Sequence, residues 1–448
     1  MLLVGLLVVG RIRSREASDG GRSLEETFTE FDQQLQCLKT VTEQTFAREF
    51  VDVSATADPG VLGGTAAVHP DDVVVKVQEV RELTFDRIPE PIYLPAPELS
   101  ARAAGYAEDY PDDEAAHDSE LLSSLGAVPD GTDIKELTAT ALGEQVAGFY
   151  DTESKQIVVS GDPEAGLDLI QELTLAHEFE HALADQALGL PVSEDFPPDG
   201  AEDSTLAATA LVEGDATLTM ALYSFAGAVT APSALFGADM AAVGGLTRLP
   251  SYLQRSMIFP YAEGLAFVCR LYLDGGWTAV NEAYADPPST TAQILFPERY
   301  GSQEEAVDPR NSASPGPGWT NDEIRAIGAA DLLFLFEAPG DRADRALEDP
   351  LKRVAGWAGG EVHLWSRGDV EHATGMLLVE RTGEQDLCGS MRQWYRSAFP
   401  NESEVRRLPG EEMASEASDQ AASLRCGGNE VRLGIADDLG VARRVIGS

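Results

Sequence analysis

Lysine is almost missing from this chain. Only Lys39, Lys76, Lys135, Lys155 and Lys352 occur in 448 residues, and Lys plus Arg number 32 against 76 Asp plus Glu, a net charge of −44. Phosphate backbones are bound through basic stripes, so nucleic acid is not an expected partner. The acidic excess fits a secreted or salt-adapted protein kept in solution by its charged surface, although the preference for Arg over Lys also follows from GC-rich codons. Cysteine is scarce too: Cys37, Cys269, Cys388 and Cys426 stand without CxxC spacing, which excludes a cysteine metal cluster. Cys269 lies in an apolar run and reads as a core thiol. Cys388 and Cys426 can pair within the last module in an oxidising compartment.

Long apolar runs are also lacking. The opening Met1-Leu2-Leu3-Val4-Gly5-Leu6-Leu7-Val8-Val9-Gly10 is too short to span a bilayer, and Arg11, Arg13 and Arg15 follow it. Residues 1–22 read as the end of a signal or membrane anchor, so the expected location is extracytoplasmic or membrane-associated, with anchoring through the N terminus. The trailing arginines argue the other way, because they favour a cytoplasmic flank. Residues 216–237 carry no charge, but Pro232 and the Gly and Ser interruptions suit a buried helix pair better than a lipid-spanning one. With 43% apolar and 24% charged residues the chain is ordinarily globular, and its length allows two or three domains.

Histidine is rare as well, six in all, yet two of them fall in Leu175-Ala176-His177-Glu178-Phe179-Glu180-His181-Ala182-Leu183. This is HExxH in an apolar helical run. Imidazoles at i and i+4 stand about 40° apart on a helix, so both reach one cation, and Glu178 points to the remaining coordination position. There it can take a proton from a bound water. Asp162-Pro163-Glu164 supplies a helix start, and Gly189 and Pro191 close the end. Upstream, residues 145–150 and 156–160 form two β-prone runs around a polar turn, a hairpin whose open edge suits an added peptide strand.

A third ligand is needed, and Glu213 is the best candidate. It lies in a second helical stretch from about Ser204 to Ala226, where Ala207, Ala208, Ala210, Gly214 and Ala216 permit close approach to the first helix. Two His, one Glu and a water form a recognised catalytic zinc set, so Zn2+ is the expected cofactor.

HExxH with a downstream Glu-Gly-Asp-Ala resembles the gluzincin metallopeptidases, and is most similar to an uncharacterised prokaryotic peptidase-like branch of them. The likeness continues through Val146-Ala147-Gly148-Phe149-Tyr150-Asp151, His181-Ala182-Leu183-Ala184-Asp185-Gln186, Phe259-Pro260-Tyr261-Ala262-Glu263-Gly264 and Ser289-Thr290-Thr291-Ala292-Gln293-Ile294-Leu295. It covers residues 70–300 well and the remainder loosely. The resemblance implies zinc on His177, His181 and Glu213, Glu178 as general base and later proton donor, and a peptide or protein substrate. An oxyanion donor is also required; Tyr261 is the first candidate, with His363 and Tyr150 behind it. The pattern departs in one respect. Gluzincins place an Asp four residues after the ligand Glu to orient a ligand histidine, whereas position 217 is Thr here and the Asp is at 215. Asp185, one turn beyond His181, is the substitute candidate. Relatives often carry a His near Phe296, and that function is lost here.

The expected fold is α+β: a zincin-like catalytic domain (edge hairpin, HExxH helix, helical ligand-bearing subdomain) and a small C-terminal α+β module. The expected divisions are the anchor remnant 1–22; an amphipathic helix and linker, 23–68; an N-terminal subdomain, 69–143, with β-prone runs at 73–75 and 92–94; the metal-binding domain, 144–300; a linker, 301–318; and the module, 319–448. Within the module, strands are expected at 360–365 and 374–379, a helix at 386–396 and a hairpin at 423–433. His69, His117 and His372 read as surface histidines. A competing reading keeps the zinc but not the turnover, making the chain a zinc-stabilised binding or assembly protein of the cell envelope.

Overall fold

The computed structural model describes residues 2–4, 40, 68–162, 166–192, 201–224, 248–310, 314–368, 371–383, 386–401, 403–405, 408–417 and 420–447. The expected amphipathic helix and most of the anchor and linker segments lie outside them. Two sheets and a set of helices make the chain α+β.

The smaller sheet is built from β1 (Leu2–Val4), β2 (Ile92–Leu94), β3 (Gly148–Asp151) and β4 (Gln156–Ser160), in the order β1-β3-β4-β2. β3 and β4 form the expected hairpin, with Phe149 opposite Val158. Its turn is held by Asp151 Oδ1, which accepts from the backbone N–H groups of Glu153 and Ser154. β2 lies parallel to β4 between Pro91 and Pro95, the short edge strand that flanking prolines predict. The hairpin edge expected to be open is not: Leu2–Val4 pairs antiparallel along β3, Leu3 opposite Tyr150. An unpaired strand edge offers a row of free N–H and C=O groups, and here the chain itself fills it.

Helix α1 (Pro70–Arg81) corrects the β-prone reading of 73–75. Pro70 at the first helical position, Asp71 and Asp72 in the first turn and burial of Val73, Val74 and Val77 on one face outweigh the strand preference of three successive valines. Three further helices, α2 (Ala96–Gly105), α3 (Asp112–Ser124) and α4 (Ile134–Gln145), lead to the hairpin. The motif helix α5 (Leu169–Ala187) starts later than Asp162 predicts, because Asp168 and Gln171 form a reciprocal capping box. It ends as expected at Gly189 (φ 78°), whose N–H reaches the Ala184 and Asp185 carbonyls.

Next come α6 (Glu202–Tyr223) and the long α7 (Ser251–Ala285), which contains Pro260 and a non-helical Gly276. Helices α8 (Thr291–Leu295) and α9 (Pro297–Gly301) follow, and Phe296 between them lies under the Arg299 guanidinium. Beyond residue 318 follow β5 (Thr320–Ala326), α10 (Ala329–Glu337), α11 (Pro350–Val354), β6 (Trp357–Arg367), β7 (Glu371–Glu380), α12 (Leu387–Ala398), β8 (Ser403–Glu404), β9 (Glu411–Glu416), β10 (Ala421–Gly427), β11 (Glu430–Ala436) and α13 (Leu439–Val445). The larger sheet runs β5-β6-β7-β11-β10-β9-β8. Cys388 of α12 is disulfide-bonded to Cys426 of β10. Cys269 is buried as expected, but it too is in a disulfide rather than a free thiol.

One hydrophobic cluster joins Leu211, Leu218, Phe259, Phe267, Phe334 and Leu433, so α6, α7, α10 and the larger sheet share a core. A second cluster joins Val73, Tyr150, Ile157, Leu175, Phe179 and Tyr223, fixing α5 between α1, the small sheet and α6. No described helix is long and apolar enough to cross a membrane.

Candidate metal centre

Helix α5 is buried without a break from Glu172 to Ala184. An apolar helix enclosed on all sides carries its polar residues inward with it, and burying them is costly unless they are paired or ligated. His177 and His181 are one turn apart on it, and α6 brings Glu213 across. His177 Nε2 lies 3.1 Å from Glu213 Oε2, His181 Nε2 lies 3.0 Å from His177 Nε2, and His181 Nε2 lies 3.4 Å from Glu213 Oε2. A tetrahedral ion with bonds of about 2.0–2.1 Å separates its ligand atoms by about 3.3–3.4 Å. The three atoms therefore stand close to the spacing of one tetrahedral face, and the group can hold a cation.

The electrostatics suit a positive charge. Burial alone would raise the Glu213 carboxyl, but the two imidazoles outweigh it and hold the group down at about 2, so it is an anion. Burial lowers the His177 pKa, with His181 adding to the effect and Glu213 opposing it, which keeps a lone pair free for a ligand bond. Glu178, fully buried, sits beside His177 on the same helix. The Tyr261 ring of α7 stacks near His177, with centroids 6.2 Å apart and planes 27° apart. Around Pro260, α7 is anchored to α10 by Arg255, which donates from Nη2 to Glu263 and from Nε to Glu337.

Small residues bring the helices together, though not where the sequence suggests. Gly214 faces α7 rather than α5: a Cβ there would lie 2.3 Å from the Gly264 carbonyl carbon. Glu213, one position earlier, faces the histidines.

The other expected site residues are held elsewhere. Asp185 does not reach His181; it accepts from the Tyr150 hydroxyl at 2.6 Å and pairs with Lys155 at 2.8 Å. At i+4 it lies one turn away on the same face, but the hairpin supplies nearer partners. His363 stacks on Trp365 and pairs with Glu361 in β6. His69 is exposed, and His117 and His372 are half-buried.

Sequence reasoning missed Arg81. This fully buried residue of α1 donates from Nε and Nη2 to Asp215 Oδ2 at 3.1 and 2.9 Å, and from Nη2 to Asn281 at 2.7 Å. Its Nε also lies 3.5 Å from Glu180 Oε1, its guanidinium stacks on Trp277, and Tyr284 donates to the same Asp215 oxygen. Burial pushes the Glu180 carboxyl well above its usual range, Asp215 adds to the effect and Arg81 opposes it. The signal for such a cation was present: an acid at position 180 of an all-round apolar helix must be buried, and buried acids need partners.

Compared with known proteins, the chain matches no family model, no curated protein and no solved structure.

Proposed function

We propose that this chain is a zinc-dependent metallopeptidase of gluzincin type, holding Zn2+ on His177, His181 and Glu213 and hydrolysing peptide bonds of a peptide or protein substrate. The observation that carries the reading is the convergence of two imidazole nitrogens from the helix that also bears Glu178 and one carboxylate oxygen from α6, all within 3.4 Å of one another. Two nitrogens and one oxygen suit zinc, and leave a coordination position open. When bound, the ion supplies Lewis acidity, lowering the pKa of water toward about 7 and polarising a carbonyl.

The chain's own residues do the rest. Glu178 takes the water proton as general base and returns it to the leaving nitrogen. Tyr261, beside His177, donates to the carbonyl oxygen as charge builds there. The disulfides at Cys269 and Cys388 support an extracytoplasmic location, where such bonds persist.

Glu178→Gln tests the reading. It should retain metal, measured by mass spectrometry of the purified protein, and lose hydrolysis of denatured protein and of a peptide library. Wild type and variant equally inert with zinc bound would instead favour the zinc-stabilised binding or assembly protein.

A further inference from the structure

A histidine that binds a cation through Nε2 carries its hydrogen on Nδ1, and that hydrogen needs an acceptor to fix the ring. His181 Nδ1 is buried and has no hydrogen-bond partner among the described residues. Thr217, where the gluzincin pattern has an Asp, has a hydroxyl that likewise lacks a partner, and Asp185 is held by Tyr150 and Lys155. Glu180 Oε2 lies 3.7 Å from His181 Nδ1, and neither Glu180 oxygen has a hydrogen-bond partner among the described residues. The unpartnered Nδ1 and Oε2 atoms thus face each other just beyond hydrogen-bond length, while Glu180 Oε1 is held 3.5 Å from Arg81 Nε.

Neighbours along a helix diverge by about 100°, so Glu180 needs a reason to turn toward His181. Arg81 provides it. Fixed by Asp215, Asn281 and Trp277, its guanidinium draws Glu180 Oε1 to one side and leaves Oε2 toward the ring.

We propose that Glu180 is the positioning residue of His181, its Oε2 rotating in from 3.7 Å to accept the Nδ1 hydrogen and so presenting Nε2 to the cation. A carboxyl oxygen accepts whether or not the group is ionised. The role rests on the metal-centre reading in taking Nε2 as the ligand atom.

Long-range proton–nitrogen spectra of the metal-free full chain, with His181 assigned against His181→Gln, read the tautomer directly. Wild type should carry the proton on Nδ1. Glu180→Gln keeps an acceptor oxygen and should keep that tautomer. Glu180→Leu removes it, so the proton should move to Nε2 and Zn2+ affinity, measured by chelator competition, should fall about 10–100-fold. A wild-type proton on Nε2 overturns the proposal without any variant having to fold. An unchanged tautomer and unchanged Zn2+ affinity in Glu180→Leu overturn it equally. Failure of the peptidase reading would show differently, as an inert wild type whose His181 tautomer is still Nδ1.

Discussion

Gly214 of α6 and Gly264 of α7 meet backbone against backbone. A Cβ on Gly264 would lie 2.1 Å from the Ala210 carbonyl oxygen, and one on Gly214 would lie 2.3 Å from Gly264. Neither helix can shift locally without moving Glu213, which precedes Gly214. Gly264→Ala should therefore overpack the crossing, costing about 1–3 kcal/mol, and weaken metal binding at the same time. Urea unfolding and metal titration on one sample check both, and wild-type values in each would refute the tight crossing.

Glu213 is the acid in the group of His177, His181 and Glu213 that could hold a cation. On the proposed ligand set, Glu213→Ala removes one of three ligands and leaves the two imidazoles, so its loss of affinity should exceed the 10–100-fold typical of losing an outer hydrogen bond. Glu213→Gln should fall between, keeping an oxygen but losing the charge. Metal content after dialysis measures this, and full occupancy in Glu213→Ala would remove the residue from the ligand set.

What could be read beforehand was local. His177, Glu178 and His181 follow from helical spacing alone, whereas Glu213 was picked out by small residues that in fact meet α7 rather than α5. The start of α5 was misplaced because Asp162-Pro163 and Asp168 both look like helix starts, and only the Gln171 side chain closing back on Asp168 decides between them. The strand reading of 73–75 failed because valine preference is weak against capping and burial. Arg81 lies 134 positions from Asp215, a distance across which no periodicity carries information. The carboxyl facing His181 comes from the adjacent residue, which helix-face reasoning passes over.

The Cys388–Cys426 bridge ties α12 to β10 across 38 residues. Closing a loop of that length in the unfolded chain is worth about 4 kcal/mol in the chain-entropy view. Cys388→Ala together with Cys426→Ala should lower stability by an amount of that order while leaving metal content unchanged, since neither cysteine belongs to the group of His177, His181 and Glu213. Thermal unfolding paired with metal analysis distinguishes this from a global failure to fold. An unshifted midpoint would show that the bond adds nothing.

Asp203, in the first turn of α6, ties three elements together. It accepts from the Thr291 N–H and hydroxyl, and Thr291 in turn accepts from the Ala330 N–H. Burial pushes its carboxyl up to about 7; hydrogen bonds from Thr291 oppose this, and Asp331 and Glu202 reinforce it. The folded state thus keeps a proton that the unfolded chain releases near pH 3.8. Stability from this group is complete below about pH 4 and is lost as pH rises to about 7, at up to about 1.4 kcal/mol per pH unit, with no further change above. Asp203→Asn cannot ionise, and its amide oxygen still accepts from Thr291. The stability difference between wild type and Asp203→Asn should therefore shift steadily against wild type from about pH 4 to about pH 7 and then level off. Denaturant titrations across that range measure it, and a difference that does not vary with pH would show that Asp203 ionises normally in the folded protein.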